Sequence, residues 1–295
     1  MERLLPLLPA IFVLLWSTGF VGARYAMPYA EPFTFLSMRY ALAIAILAAV
    51  VLLVRAPLPA WRPAGHALVV GVLIHGVYLG GVFVAVDAGL NAGIAALVVS
   101  LQPILTTLLA AALLGEPATP RVFAGLGLGL AGVALVVAPK LGTGGGIVPW
   151  TLVPVATSAV AISVGSVWQK RFVGGVDLRA GTMLQYCGAL VPTAVAAWAL
   201  ETRQVQWTGE LMFALAWFVV VLSILAVLLM LFLIREGAVS RVASLLYLVP
   251  GLTAVMAWLM FRETLSAIQL AGLALACVGV AAATRQRAVP AVPKV

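Results

Sequence analysis

Charge is scarce in this sequence. Asp, Glu, Lys and Arg make up 9 % of the 295 residues, against roughly 25 % in a soluble domain. A chain with so little polar surface cannot cover a water-soluble globule. The acids are fewest: apart from Glu2, the carboxylates are Glu31, Asp87, Glu116, Asp177, Glu201, Glu210, Glu236 and Glu263. All of these fall at the ends of apolar runs or between them. A buried anionic site for cationic drugs, or a carboxylate proton relay, needs an acid inside a run. Histidine and cysteine are equally rare, at two each. No His-Glu-x-x-His, Gly-x-Ser-x-Gly or paired intramembrane aspartate occurs, so neither hydrolytic chemistry nor a metal centre is expected. Cys187 and Cys277 lie in apolar surroundings and read as small packing residues rather than a disulfide framework. The Gly-rich run Gly142–Gly146 lacks the Gly-Lys-Ser/Thr that would cradle phosphate. No cofactor is implied.

What the chain has is apolar length. Hydrophobic residues make up 64 % of it. Runs long enough to cross a bilayer as helix fall at 5–25, 33–54, 66–87, 92–114, 119–138, 150–172, 180–200, 210–234, 240–261 and 266–284. Residues 5–25 could pass for a signal peptide, but nine further runs follow, so it reads as a permanent helix. The net charge of +8 is dispersed between these runs and marks topology, not nucleic-acid binding. With the N-terminus inside, twelve Lys and Arg face the cytoplasm and four face out, with Arg39 left inside a run. Both termini are then cytoplasmic.

The sequence also repeats. Ala96–Pro103 and Gly115-Glu116 return 147 positions later as Ala243–Pro250 and Arg262-Glu263, with 14 identities over positions 96–135. Five runs per copy is an odd number, so the second copy is inserted upside down. The expected fold is an all-α membrane protein of ten transmembrane helices in two inverted five-helix repeats. Their bounds are 1–139 and 150–285, with a linker at 140–149 and a tail at 286–295. Inverted repeats are a transporter architecture, with the site at the membrane midplane between the halves.

Polar residues inside the runs are the candidates for that site. His75 and Tyr78, three apart, share a helix face; a core hydrogen bond is the alternative for the histidine. His75 is also the one mid-span group able to titrate near neutral pH, so proton coupling would fall to it. Trp16 and Ser17 stand on the first run, and Ser163, Ser166 and Trp168 on the sixth, where helix packing or an interfacial position competes with a binding role. Pro103 and Pro250 each interrupt an apolar helix and should free the carbonyls of Val99 and Leu246. Beside them stand Ser100 and Gln102 in one copy, and Ser244 and Tyr247 in the other. The symmetric pair reads as a hinge around a central cavity. Arg39 either snorkels to the surface, attracts a substrate carboxylate, or locks an outer gate through Glu31 or Asp87. The small residues of Gly125–Gly132 and Gly272–Ala276 read as a packing face between halves or between protomers.

The ten runs, the doubling at 147 and the signature Pro103…Gly115-Glu116…Gly125…Gly132, repeated at Pro250…Glu263…Gly272…Gly279, resemble the EamA-type family of the drug/metabolite transporter superfamily. Within it, Trp16-Ser17-Thr18-Gly19-Phe20, His75 with Tyr78, and Trp168 are similar to bacterial aromatic amino-acid exporters. The resemblance implies export of amino acids across a bacterial-type inner membrane through a central cavity. Substrate rings would stack on Trp16, Tyr78, Trp168 or Tyr247. Ser17, Ser100, Ser163, Ser166 and Ser244 would bond the amino-acid backbone. The expected partners are the substrate and the lipid bilayer, with the protein a monomer or a homodimer. A broad efflux transporter for lipophilic toxic compounds, a passive channel and a scaffold remain open alternatives.

Overall fold

Residues 7–115, 119–138, 148–226, 229 and 246–284 are described by the computed structural model. The expectations for Glu116, Ser244, the side chain of Tyr247, most of the 140–149 linker and the tail lie outside these residues. Among the described residues every element is helical, and seven helices are apolar and long enough to cross a membrane. They are α1 (Leu8–Ala26), α2 (Pro32–Leu53), α3 (Trp61–Asp87), α4 (Ala92–Leu114), α5 (Pro120–Val137), α6 (Pro149–Phe172) and α7 (Leu178–Leu200). Three shorter apolar helices follow: α8 (Gly209–Leu225), α9 (Val249–Phe261) and α10 (Ala267–Thr284).

Local chemistry sets the ends. Proline occupies the first turn of α1, α2, α5 and α9, where its missing N–H is no loss and its fixed φ suits the helix. Asp177 caps α7, its Oδ1 accepting the N–H groups of Arg179 and Ala180 at 3.0 and 3.3 Å. The Thr208 hydroxyl caps α8 by accepting the Leu211 N–H. The outer faces are greasy: Leu53 is 83 % and Trp198 75 % exposed. In water such a surface would aggregate; against lipid it is satisfied.

Helices separated by 147 positions pack on each other: α2 on α7, α4 on α9 and α5 on α10. In the last pair, a Cβ on Gly125 would meet Gly279 and Ala283, and one on Gly132 would meet Gly272 and Ala276. The contacts run in opposite sequence directions, so the two helices are antiparallel. The same holds for α2 and α7. Glu201, after the end of α7, bonds Phe33 and Thr34 at the start of α2, while Val51 near the end of α2 clusters with Ala180 near the start of α7. The glycine face therefore joins the two halves of one chain.

Backbone features repeat with the same shift even where residues do not. Gly115 ends one helix with φ 71° and Arg262 ends its counterpart with φ 58°, both left-handed. A π-helical segment widens α3 at Val72–Tyr78 and α8 at Trp217–Leu225, and the 147-residue shift carries the first into the second. Such wide turns displace carbonyls from the regular ladder and are frequent at functional sites. Here hydroxyls take up the slack: Tyr40 donates to the His75 carbonyl at 2.7 Å, Ser158 to that of Tyr78 at 2.8 Å, and Ser223 to that of Phe218 at 2.9 Å.

The proline reading needs correction. Neither proline sits in mid-helix with regular turns on both sides. The fourth span breaks at Ser100–Leu101, and Pro103 stands in the first turn of a new segment, Gln102–Leu114. Pro250 likewise stands in the first turn of α9, directly after a short 3₁₀ turn at Leu246–Leu248. Each proline starts a helix, since its missing N–H is tolerated there and not further in.

Candidate functional site

A cavity of about 790 Å³ lies between the two halves. Its lining comes from α1, α3, α4, α6, α7 and α8, with Arg39 from α2, Val249 from α9 and Val280 from α10. Its lining includes two members of an aromatic cluster. Phe35, Phe83 and Phe218 meet with centroids 5.3–5.7 Å apart, near the loops that carry Glu31 and Glu201. At one end the cavity reaches Gln169, Lys170 and Leu178, on the side where Arg55, Arg62, Arg171 and Arg179 stand.

The sequence candidates divide. Trp16, Arg39, His75, Tyr78, Ser100, Gln102, Pro103 and Ser166 line the cavity. The π-helical turn presents His75 and Tyr78 to it, and the break at Ser100–Leu101 does the same for Ser100 and Gln102. Gln102 and Ser166 lie together, Nε2 to Oγ at 3.4 Å. Ser100 turns its hydroxyl back onto the Leu97 carbonyl at 2.6 Å, satisfying the end of the segment above.

Ser17, Ser163, Trp168 and Pro250 are not part of the lining. Ser17 is buried with its hydroxyl on the Val13 carbonyl. Ser163 is buried and bonds the carbonyls of Ala159 and Gln102, bracing the broken helix rather than facing a ligand. Trp168 donates its indole N–H to His66 at 3.3 Å and packs on Phe172, so it serves as a clamp between α3 and α6. Pro250 is buried next to the lining residue Val249.

Arg39 does not snorkel. It is only 5 % exposed, and its Nε donates to Ser223 at 3.2 Å. Its guanidinium carbon sits 4.9 Å from the Phe218 ring centre and 5.7 Å from that of Tyr40. It does not lock to Glu31 either. Glu31 instead accepts from the Thr202 N–H and hydroxyl and the Arg203 N–H. Glu201 reciprocates on Phe33 and on the N–H and hydroxyl of Thr34. These two carboxylates tie the start of α2 to the segment after α7. Burial pushes Glu31 up, but the bonds from Thr202 and Arg203 outweigh it and hold the carboxyl below its usual range.

Several lining residues had no sequence motif: Thr182, Gln185 and Tyr186 on α7, and Phe218 and Leu222 on α8. One signal was present. Tyr186 stands 147 positions after Arg39, and each packs on the π-helical segment of the opposite half. Tyr186 meets His75 with ring centres 4.7 Å apart.

Known proteins resemble this chain. The chain is 28 % identical over 272 residues to the uncharacterized inner membrane transporter YedA of Escherichia coli K12, covering 91 % of this chain and 87 % of that one. It is 28 % identical over 270 residues to the uncharacterized transporter YvbV of Bacillus subtilis, covering 91 % and 88 %. A solved crystal structure has the same fold, with a TM-score of 0.64 at 24 % identity over 94 % of this chain and 97 % of that one. Residues 5–138 and 149–285 each match the EamA-like transporter family. A greasy all-helical bundle, with antiparallel counterpart helices enclosing one cavity and the family pattern present twice, belongs to a multi-pass membrane transporter of the EamA-like family.

Proposed function

We propose that this transporter exports aromatic and other neutral amino acids across a bacterial inner membrane by alternating access. The observation that carries the reading is the cavity between the halves, where the aromatic faces of Trp16, Tyr78, Tyr186 and Phe218 stand beside the polar groups of Arg39, His75, Gln102 and Ser166. Stacking on such faces contributes about 0.5–1.5 kcal/mol beyond burial. The antiparallel packing of α2 on α7 and α5 on α10 supports two inverted five-helix repeats, 1–139 and 150–285. Ten crossings would complete that arrangement, and the excess of Lys and Arg on one side supports cytoplasmic termini. The cationic residues at the Lys170 end of the cavity support an inward-facing state, closed outside by the phenylalanine cluster and the Glu31 and Glu201 bonds. Rocking of the halves would run through the helix breaks that precede Pro103 and Pro250.

Broad efflux of lipophilic cations fits less well. The described lining carries a buried arginine and contains no Asp or Glu, and an uncompensated cation repels a cationic drug. The test is counterflow in proteoliposomes loaded with a panel of amino acids and cationic dyes. Saturable exchange of phenylalanine, tyrosine or leucine is expected. Exchange of dyes with none of the amino acids overturns the reading. Repeating it across a pH gradient tests coupling: a rate indifferent to the gradient removes His75 as a proton carrier.

A further inference from the structure

Arg39 stands about 10 Å along α2 from its first residue, at 1.5 Å per residue, and its side chain is buried. A charge at that depth persists when it is paired or has a function. Among the described residues no carboxylate lies within ion-pair distance of Arg39. Its polar and ring contacts among the described residues are one hydroxyl and two ring faces, which orient a cation without neutralising it. The carboxylates nearest in sequence plan are engaged elsewhere, Glu31 on Thr202 and Arg203 and Glu201 on Phe33 and Thr34. Ser223 spends its hydrogen on the Phe218 carbonyl, so its oxygen is left to accept from Arg39 Nε. That bond restrains the plane of the guanidinium, and its terminal nitrogens donate to no described residue, while Arg39 lines the cavity.

The opposite half does not repeat the charge. At the equivalent position stands Tyr186, stacked on Tyr40 with centroids 5.5 Å apart. Nearby, the buried Nδ1 of His75 has no hydrogen-bond partner among the described residues. Within the buried part of the cavity one cation and an unpartnered ring nitrogen therefore stand among aromatic and apolar walls. We propose that Arg39, oriented by Ser223, is the docking residue for a carboxylate borne by the substrate. The substrate class is then an organic acid with an apolar or aromatic body. This rests on reading the cavity as the transport site. The required group is the carboxylate, whether it belongs to a zwitterionic amino acid or to a simple aromatic acid. The guanidinium fork matches a carboxylate with two parallel bonds, a geometry lysine cannot reproduce. Ser223 acts as a positioning residue.

The experiment measures binding to the full-length protein in lipid nanodiscs of three probes that share a phenyl body: phenylalanine, phenylacetate and phenethylamine. Both carboxylates should bind, with phenethylamine weaker by tenfold or more, on the order expected for a charge-assisted bond. Arg39→Gln should weaken the carboxylates roughly 10- to 100-fold and bind phenethylamine more tightly than the wild type does, because the repelling cation is gone. Arg39→Lys should recover part of the loss. Ser223→Ala, which keeps the charge and frees the guanidinium plane, should weaken them roughly threefold on the same scale. Should Arg39→Gln not fold, the lysine and alanine variants carry the test, since both must weaken carboxylates selectively. Phenylalanine binding without phenylacetate identifies the zwitterion as the source, and binding of both shows that the carboxylate suffices. Carboxylate binding indifferent to Arg39, or phenethylamine as tight as phenylacetate, overturns the assignment and leaves the exporter reading standing. No carboxylate binding at all overturns both.

Discussion

Gly132 and Gly127 lie on the same helix and should respond to one substitution with opposite signs. A Cβ at Gly132 would stand 2.5 Å from the Gly272 carbonyl oxygen, 2.6 Å from the Ala276 nitrogen and 2.8 Å from the Ala276 Cβ. Two of these are backbone atoms, which cannot rotate aside. To reach ordinary contact, α5 and α10 must part by roughly 1 Å, and overpacking of that kind costs about 1–3 kcal/mol. Against this, alanine gains about 0.5–1 kcal/mol over glycine in a helix interior. Gly132→Ala should therefore destabilise by about 1–2 kcal/mol net. At Gly127 a Cβ would meet nothing within 4 Å, so only the gain remains and Gly127→Ala should stabilise by about 0.5–1 kcal/mol. Reversible unfolding in mixed micelles, followed by tryptophan fluorescence, reads both values. If the two variants shift stability in the same direction by the same amount, the close approach of α5 and α10 is not what the glycines provide.

Three further outcomes follow from the structure. Arg262→Gly should stabilise by about 0.5–1 kcal/mol in the same assay, because a non-glycine residue in the left-handed region costs roughly 1–2 kcal/mol and glycine returns part of that as chain entropy; Arg262 sits there at φ 58°. The Glu31 carboxyl is held below its usual range, so its contribution is complete above the unfolded value near 4.3 and fades as pH falls through the lower folded value; labelling of a cysteine introduced at the Glu31 end of the cavity should rise below about pH 4 and show a smaller step when Glu31→Gln is added. Trp16→Ala should weaken phenylalanine binding several-fold by removing a ring face, whereas Trp168→Phe should leave the affinity unchanged and lower only thermal stability, since the indole N–H meets His66 outside the cavity; equal losses from both would refute the placement of Trp168.

The membrane character and the doubling were legible because both are one-dimensional properties. Run length, the scarcity of acids and a 147-residue self-match need no tertiary information. The α5–α10 contact was legible for a similar reason: glycines every three or four residues are a helix-packing pattern before any partner is known. The site was half legible. His75, Tyr78, Ser100 and Gln102 drew attention as polar residues in apolar runs, and the cavity holds all four. Ser17 and Ser163 drew it equally, yet their hydroxyls close onto carbonyls of their own helix four residues back. That choice depends on which way the helix is rotated, and composition does not record rotation.

Two matters were settled only by the fold. Sequence alone determined that the chain fills a bilayer, that it is built twice, and that its few polar residues are the places to look. Tertiary structure decided which of them meet. Arg39 finds Ser223 across 184 positions and Trp168 finds His66 across 102, while the π-helical turns at Val72–Tyr78 and Trp217–Leu225 shift the register on which any face count relies. The physical reason is that a regular helical period predicts faces only while the period holds. At this site it is broken in both halves, and the break places side chains from opposite ends of the chain around one cavity.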